Sequence, residues 1–456
     1  MRVLIPETSR LKPQKKMKLY STNNKTHEVS FREAVFNSLP QDQGLYMPVE
    51  ILRLPDDFLE NLHQYSLPEI AFRVAEDLLQ GIIPAEDLKT IIDDAINFPA
   101  PVVKLEENKY VLELFHGPSL AFKDFGARFM SRVMAYFLRK GEKELNVLVA
   151  TSGDTGGAVA LGFLGVPNTL VTILYPKGKV SLIQELQLTT NGQNIRAIEI
   201  DGTFDDCQAL VKQAFVDAEL NEKFRLTSAN SINISRLIPQ TFYYFNAIAQ
   251  LQREGKTDVV FSVPSGNFGN IGAGLLAWKM GLPVRQFIAA TNANDTVPTF
   301  LNGGIYQAKP SVATISNAMD VGNPSNWARI MDLFQEDQTA ITKLVSGFSF
   351  DDAQTAAAIE EVYRLYNYVV CPHTAIAFRA LDVWQKQHLQ QENTGVFLAT
   401  AHPCKFPDVF SDEIAAEIEI PEQVLELEGK PKHADSLGVD YASFKAYLLA
   451  EEKTSI

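Results

Sequence analysis

The sequence is poor in cysteine. Its 456 residues include three, Cys207, Cys371 and Cys404, which lie far apart and form no C-x-x-C pair. A disulfide framework uses an even set of cysteines and a cysteine-rich zinc site uses closely spaced ones, so the sequence favours neither. We therefore predict a protein without a metal site, located in the reducing cytoplasm.

The sequence also lacks long hydrophobic runs and an excess of positive charge. No apolar stretch approaches the roughly 18 residues that span a bilayer, and the first residues lack the long apolar core of a secretory signal. The 55 acidic residues outnumber the 41 basic ones, which gives a net charge of −14. Because nucleic-acid and anionic-membrane binding usually require a basic face, neither partner is expected. A small anionic ligand remains compatible, since a helix N-terminus can bind it locally.

The order of hydrophobic runs and turns indicates an α/β protein. Residues 28–99 show helical spacing, with capping-box patterns beginning at Ser30 and Ser66. From about residue 100, short β-branched or leucine-rich runs end at glycine- or proline-rich turns and are followed by helical patterns. This alternation predicts mainly parallel sheets, whose ligands usually bind in loops at the carboxyl ends of the strands.

Two glycine-rich loops follow predicted strands and precede predicted helices. The loop at 265–270 would direct backbone N–H groups and a helix N-terminus at one point, which suits a phosphate. Its glycines have neither the dinucleotide-binding nor the P-loop spacing. The loop at 151–157 adds hydroxyls that can grip a carboxylate. Spacing alone leaves structural roles open for both loops, as a tight turn and as a helix cap.

Lys123 lies in the apolar run Ala121-Phe122-Lys123-Asp124-Phe125. An apolar environment disfavours the charged ammonium and lowers its pKa, which makes a nucleophilic amine available. Lysines that form Schiff bases need this property. Taken alone, a lysine in such a position is more often a solvated residue at a helix start, paired here with Asp124.

Considered together, these segments strongly resemble those of the threonine synthase family. The run His116–Asp124 resembles the lysine segment that binds pyridoxal phosphate in that family. The loops Ser152–Gly156 and Ser265–Asn270 resemble its substrate loop and its cofactor-phosphate loop. Asn230–Arg236 and Thr400–Pro403 match as well, in the same order along the chain. The match is closest to the branch of enteric bacteria and fungi, which carries an additional N-terminal domain.

The resemblance runs from residue 17 to about residue 425 and implies fold type II of the pyridoxal-phosphate enzymes, the fold of the tryptophan synthase β subunit. It implies two α/β lobes and a mainly helical N-terminal domain. We accordingly predict a tail at 1–16, an N-terminal domain at 17–100, a large cofactor-binding lobe at 101–138 and 246–425, a small α/β lobe at 139–245, and a C-terminal segment at 426–456.

The implied activity is the conversion of O-phospho-L-homoserine and water into L-threonine and phosphate by a monomeric enzyme. Lys123 would bind pyridoxal phosphate covalently. The resemblance further implies that Asp154 contacts the ring oxygen of the cofactor and that Thr400 faces its ring nitrogen. The residues implied to bind the cofactor phosphate are Gly266, Asn267, Phe268, Gly269 and Asn270. Because a carboxylate beside a phenolate is repulsive unless a proton is shared, we expect Asp154 to be protonated or to share a proton.

A leaving phosphate needs cations and hydroxyls that bind its developing charge. Arg236 is the predicted bidentate clamp. Further hydroxyl or amide partners for the substrate are predicted at Ser152, Thr155, Ser231 and Asn233. No catalytic role follows for three histidines or for one cysteine near these segments, which we interpret as packing or supporting residues: His116, His373, His402 and Cys404.

Three other interpretations fit parts of the pattern. A serine/threonine dehydratase of the same fold shares the lysine and both loops but needs no second phosphate site, so Arg236 and its neighbours discriminate against it. A catalytically silent binding protein of this family would have lost Lys123 or a loop, and both are intact. A nucleotide-binding module would be colourless and would bind no aldehyde cofactor.

Overall fold

The structure, a computed structural model, describes residues 17–138, 143–390 and 392–450. The predicted tail at 1–16 lies outside the described residues. The strands in chain order are β1 (Lys18–Ser21), β2 (Asn24–Ser30), β3 (Tyr46–Pro48), β4 (Val102–Glu106), β5 (Lys109–Glu113), β6 (Leu145–Ala150), β7 (Thr169–Pro176), β8 (Ile195–Ile200), β9 (Arg225–Ser228), β10 (Val259–Pro264), β11 (Gln286–Thr291), β12 (Val345–Ser349), β13 (Thr394–Ala399) and β14 (Asp435–Leu437).

The α-helices in chain order are α1 (Phe31–Asn37), α2 (Asp56–Glu60), α3 (Leu67–Leu79), α4 (Ala85–Ala95), α5 (Lys123–Phe137), α6 (Asp154–Phe163), α7 (Leu182–Thr189), α8 (Phe204–Val216), α9 (Ala218–Lys223), α10 (Ile234–Leu237), α11 (Gln240–Arg253), α12 (Gly269–Lys279), α13 (Thr296–Leu301), α14 (Trp327–Leu333), α15 (Gln338–Leu344), α16 (Asp352–Tyr366), α17 (Pro372–Gln387), α18 (Asp412–Ala416), α19 (Glu422–Leu425) and α20 (Tyr441–Ala450).

The larger sheet has six strands in the order β12-β11-β10-β13-β5-β4. Its neighbouring strands run parallel, except that β4 is antiparallel to β5. Every residue of β10 and β13 is buried. Strands covered on both faces read as continuous hydrophobic runs, and this explains why the sequence predicts them from local composition.

The second sheet has five strands in the order β14-β8-β7-β6-β9, and all its neighbouring strands are parallel. Strand β14 comes from the predicted C-terminal segment. Phe444 and Leu448 of α20 pack in one hydrophobic cluster with Cys207 and Leu210 of α8. The described part of that segment therefore extends and covers the small sheet.

The N-terminal part contains helices α1 to α4 and a small antiparallel sheet in the order β2-β1-β3. Both predicted helix starts occur: Ser30 accepts a hydrogen bond from Glu33 N at 3.2 Å, and Ser66 forms a complete capping box with Glu69. The sheet itself was not predicted, because Val29 is the one buried residue of β2 and no apolar alternation marks the strand.

Two features of this fold create a place for a site. Helices α6 and α12 begin within five residues of the carboxyl ends of β6 and β10, so two helix N-termini face the space between the sheets. A single hydrophobic cluster joins the N-terminal part to both sheets through Leu19, Ile70, Phe125 and Tyr244. Among the described residues, no helix combines the length and hydrophobicity needed to cross a membrane.

Candidate active site

A cavity of about 840 Å³ lies where the loops of the two sheets meet. All the predicted site residues except Asn233 line it: Lys123, Ser152, Asp154, Thr155, Ser231, Arg236, Gly266, Asn267, Phe268, Gly269, Asn270 and Thr400. Residues of the N-terminal part, from Asn37 to Tyr46, contribute to its wall. The structure therefore brings together segments that are far apart in sequence, while the roles of the individual residues stay predictions.

Lys123 is the first residue of α5, and the preceding segment fixes its position. Phe122 N donates to Thr400 O at 2.9 Å, and Ala121 forms a β-bridge with Ala401. The lysine side chain retains some solvent contact because it faces the cavity. Burial lowers the pKa of Lys123 from 10.5 to about 8, a shift that nearby cations support and Asp154 opposes. A fraction of neutral amine is thus present near neutral pH.

The glycine-rich loop connects β10 to α12 and leaves the N-terminus of α12 open. Phe268, the N-cap, has the left-handed φ of 59° and makes no side-chain capping bond. A Cβ added to Gly266 would lie 2.6 Å from Met319 Cα, so the loop passes its neighbour too closely for a side chain. The first N–H groups of a helix have no partner within the helix. This end of α12 therefore presents free donors, as an anion site requires.

Asn270 adds a directed donor to the same place. Its Oδ1 accepts hydrogen bonds from the hydroxyls of Tyr243 and Tyr244, both at 2.7 Å. Its Nδ2 is buried and has no partner among the described residues. Because an unpaired buried donor costs free energy, the two tyrosines hold Asn270 in an orientation that suits a ligand rather than the empty protein.

The loop at 151–157 combines its two predicted roles. Thr151 Oγ1 accepts hydrogen bonds from Gly153 N at 3.0 Å and Gly156 N at 2.9 Å, and so it stabilises the turn into α6. Ser152 and Thr155 are left to line the cavity. The structural interpretation applies to Thr151, while the hydroxyls of its neighbours remain available to a ligand.

Asp154 is paired with a buried lysine within the protein. Burial would raise its pKa, but Lys405 and Lys123 lower it well below the usual range of a carboxyl. Asp154 Oδ1 lies 2.7 Å from Lys405 Nζ and accepts a hydrogen bond from Gln184 Nε2 at 3.0 Å. In this structure the carboxylate of Asp154 is therefore ionised and paired with the ammonium of Lys405, while a proton shared with the cofactor oxygen stays a prediction.

Lys405 contacts a residue of the site, but the sequence analysis did not predict a role for it. Its side chain is fully buried, and Nζ also donates to Ser119 O at 2.9 Å. The position lies beyond the matching segment Thr400–Pro403, in a short 3-10 turn. The available signal was a lysine inside the apolar run Pro403-Cys404-Lys405-Phe406-Pro407, the same kind of signal that singled out Lys123.

Two buried arginines flank the cavity and differ in their hydrogen bonding. Arg236, 2% exposed, donates from Nη1 to Ala229 O, while its buried Nε has no partner among the described residues. Burial lowers the pKa of Arg236 to about 10, so it stays charged at neutral pH. Arg329, also 2% exposed, uses all three nitrogens, with Tyr46 O, Ser231 O, Asn326 Oδ1 and Ile232 O as acceptors. Arg236 therefore lines the cavity with few bonds to the protein, whereas Arg329 fixes the Ser231 segment.

Asn233 does not line the cavity, contrary to the prediction of substrate contact. Its Nδ2 donates to Val35 O at 2.8 Å and to Ser38 Oγ at 2.9 Å. Its Oδ1 accepts from Ser235 N at 3.0 Å and caps α10. The side chain therefore ties α10 to the N-terminal part, a long-range partnership that no local pattern indicates.

The three histidines near the site make supporting contacts. His116 Nε2 lies 2.7 Å from Glu113 Oε2, and His402 Nδ1 accepts from Cys404 N at 3.2 Å. His373 Nε2 accepts from Ala318 N at 3.2 Å and so holds a loop of the cavity wall. Burial lowers the pKa values of His373 and His402 to about 4. Both are neutral at physiological pH, as supporting residues can be.

Three family models match the chain in succession. The model described as "Threonine synthase N terminus" matches residues 18–96, and "Pyridoxal-phosphate dependent enzyme" matches residues 96–401. The model described as "Threonine synthase, C-terminal" matches residues 374–448. Among the residues that the structure describes, no group of three or more histidine, cysteine or acidic side chains could hold a metal ion.

Individual relatives match over nearly their full length. The threonine synthase of Haemophilus influenzae is 46% identical over 433 residues, which cover 95% of this chain and 100% of that protein. The crystal structure of threonine synthase from Escherichia coli has a TM-score of 0.87 at 43% identity and covers 95% of this chain and 100% of that one. The pyridoxal-phosphate-bound threonine synthase of Brucella melitensis has a TM-score of 0.88 at 34% identity, covering 96% and 100%.

Proposed function

The chain belongs to the threonine synthase family of pyridoxal-phosphate-dependent lyases, and from this premise we propose that its substrate is O-phospho-L-homoserine, converted with water into L-threonine and phosphate. One observation carries the choice of substrate. The cavity holds two anion-binding features on different elements, the open N-terminus of α12 and the partly unpaired guanidinium of Arg236. Two phosphates, one on the cofactor and one on the substrate, account for both.

The residues present fit pyridoxal phosphate. The loop at Gly266 is too close to Met319 for a side chain, Asn270 Nδ2 is a buried donor with no partner in the described part of the chain, and Lys123 supplies an amine with a lowered pKa. We assign the cofactor phosphate to the loop Gly266–Asn270. Thr400 would face the ring nitrogen, where a neutral hydroxyl cannot hold a proton as an aspartate would. Asp154 would lie beside the ring oxygen, where a proton shared between the two would remove their repulsion.

The mechanism follows from the groups around the cavity. When bound, pyridoxal phosphate supplies an electron sink that stabilises negative charge on the substrate carbons. Lys123 Nζ, with its lowered pKa, accepts the proton from Cα of the substrate and moves protons at Cβ and Cγ. Loss of the Cβ proton lets phosphate leave from Cγ, where Arg236 binds its developing charge. Water then adds at Cβ, and protonation completes L-threonine.

Ser152, Thr155 and Ser231 are the proposed hydroxyl partners of the substrate. Each lines the cavity, and Ser231 Oγ accepts hydrogen bonds from Asn267 Nδ2 at 2.7 Å and Asn326 Nδ2 at 3.3 Å. These two bonds leave the Ser231 proton free to donate to an anionic oxygen. Asn233 is not included, because its amide nitrogen bonds the N-terminal part and its amide oxygen caps α10.

We further propose a monomer located in the cytoplasm. The three cysteines are buried and free, which is compatible with a reducing compartment. Light scattering after gel filtration measures the mass directly, and the expected value is that of one 50.7 kDa chain. A mass of twice this value would contradict the proposal for the oligomeric state without affecting the proposed reaction.

The reaction is tested by incubating the cofactor-loaded enzyme with O-phospho-L-homoserine. Phosphate and L-threonine should appear in equal amounts. L-Serine and L-threonine serve as alternative substrates, and a dehydratase would release ammonia and a 2-oxo acid from them at a comparable rate. Ammonia release without phosphate turnover would replace the proposed reaction with that of the dehydratase.

A methyl group at Gly266 should selectively weaken cofactor binding. In Gly266→Ala the new Cβ would meet Met319 Cα at 2.6 Å, a backbone contact that forces the loop outward. Overpacking of this kind costs about 1–3 kcal/mol, so the dissociation constant of pyridoxal phosphate should rise about 5- to 150-fold. Gly272→Ala in α12, the helix that follows the loop, is the control, because its Cβ meets nothing nearer than Leu237 Cδ1 at 3.9 Å. Equal affinities by fluorescence titration would remove this loop from the cofactor site.

A further inference from the structure

The feature that carries a further inference is the buried ion pair between Lys405 and Asp154. Lys405 is fully buried, and its ammonium lies 2.7 Å from Asp154 Oδ1. Asp154 lines the cavity together with Lys123, while Lys405 approaches it from the protein side. The charges of both lysines act on this carboxylate, and its short contact is with Lys405.

We propose that Lys405 is a positioning residue that keeps Lys123 reactive, because it occupies the carboxylate of Asp154 that would otherwise hold Lys123 as an ammonium. This inference rests on the proposed role of Lys123 as the amine that binds the cofactor. A buried carboxylate without a partner is strongly unfavourable. If Lys405 lost its charge, Asp154 would gain most by pairing with the other amine that acts on it, that of Lys123.

The surroundings of Asp154 support this division of roles. Gln184 Nε2 donates to Asp154 Oδ1 at 3.0 Å, and Ser181 N in turn donates to Gln184 Oε1 at 3.0 Å. Lys405 Nζ is held at the same time by Ser119 O at 2.9 Å. Both members of the pair are therefore fixed by groups outside the cavity, whereas Lys123 lines the cavity itself.

The charges that act on Lys123 are few and have known signs. Asp154 favours its protonation, whereas Arg236 and Lys405 oppose it. His373 stays neutral with a pKa lowered to about 4, and burial raises the pKa of Asp124 to about 6. Near and above neutral pH, Lys123 is therefore the group whose titration controls the supply of neutral amine in this cluster.

Assembly of the holoenzyme reports on this amine. The neutral Nζ adds to the aldehyde carbon of pyridoxal phosphate, a C=N bond forms, and one water leaves with the aldehyde oxygen. The rate at which the visible absorption band appears, after cofactor-free protein is mixed with pyridoxal phosphate, follows the fraction of neutral amine. In Lys405→Met and Lys405→Gln the pH midpoint of this rate should rise by about one unit, which slows assembly near neutral pH about tenfold.

Three further variants define the result. Asp154→Asn should lower the midpoint, and adding K405Q to D154N should raise it by less than half of the shift that K405Q causes alone. Lys386→Gln is the matched control, because Lys386 Nζ pairs with Asp382 at the same 2.7 Å but on an exposed helix face outside the cavity; its midpoint should not move. Circular dichroism confirms that each variant is folded, and K405Q retains a donor for Ser119 O if K405M does not fold.

The outcomes separate the two proposals. If the unsubstituted protein develops no visible band with pyridoxal phosphate, the proposed role of Lys123 fails. If that band forms but the midpoint of K405M or K405Q stays within about 0.2 units or falls, Lys405 does not act on Lys123, and the inference is overturned. An upward shift of equal size with and without D154N would also overturn it, since Lys405 would then act without Asp154.

Discussion

Lys123→Ala should yield a folded protein that develops no visible cofactor band and has lost more than about 10³-fold of its turnover. The substitution removes the amine that lines the cavity and carries the lowered pKa. The loop Gly266–Asn270 should still retain pyridoxal phosphate, because that contact does not involve the lysine. Absorbance spectra after dialysis and phosphate release from O-phospho-L-homoserine measure the two losses.

The same substitution should not destabilise the cofactor-free protein. The pKa of Lys123 is about 8 in the folded state and 10.5 ordinarily, so between these values the unfolded chain binds more protons and stability rises with pH. The lysine therefore lowers stability most below about pH 8, by up to about 3 kcal/mol, and this cost disappears above pH 10.5. In urea titrations, K123A should equal or exceed the unsubstituted protein at neutral pH, with a difference that shrinks as pH rises.

Lys89→Ala is the control for this pH dependence. Lys89 pairs with Asp93 on an exposed helix face and retains 64% of its side-chain exposure. Its replacement should leave the cofactor band, the turnover and the pH dependence of stability unchanged. A loss of stability in K123A at neutral pH would instead show that Lys123 contributes to folding, as the interpretation of a helix-start lysine paired with Asp124 requires.

The features that could be predicted from the sequence are those that depend on residues close together along the chain. Strands β6 and β10 are continuous hydrophobic runs, and the glycine-rich loops follow them directly, so the place of Ser152 and Gly266 at the carboxyl ends of parallel strands follows from pattern alone. The expected fold, type II of the pyridoxal-phosphate enzymes, and the threonine synthase family are confirmed by the matching families and structures. The motifs can be identified in the sequence itself, whereas the family resemblance indicates which of them bind the cofactor and the substrate.

What the sequence could not predict depends on pairs of distant residues. Lys405 and Asp154 are 251 positions apart, yet their contact keeps the buried carboxylate ionised. Asn233 is engaged by Ser38 from the N-terminal part, which removes it from the substrate site. Charge and hydrogen-bond satisfaction are properties of a three-dimensional neighbourhood, so a motif can place a residue near the site without fixing its state or its partner.

Arg236→Met should lower kcat/KM for O-phospho-L-homoserine about 10²- to 10³-fold while the affinity for pyridoxal phosphate changes little. The substitution removes a guanidinium that donates to Ala229 O and whose buried Nε has no partner among the described residues. The protein therefore loses few hydrogen bonds of its own. Arg236→Lys keeps a positive charge but lacks the planar fork that binds phosphate oxygens in pairs. It should therefore recover only part of the activity.

Arg329→Met provides the comparison that separates ligand binding from structure. Arg329 is as deeply buried as Arg236, but its nitrogens bond Tyr46 O, Ser231 O, Asn326 Oδ1 and Ile232 O. Its loss leaves several buried acceptors unpaired and should reduce the free energy of unfolding by about 3 kcal/mol or more. R236M should change it by less than about 1 kcal/mol. If R236M instead loses stability like R329M, or loses cofactor affinity in proportion to turnover, Arg236 holds the fold together and the second phosphate must bind elsewhere in the cavity.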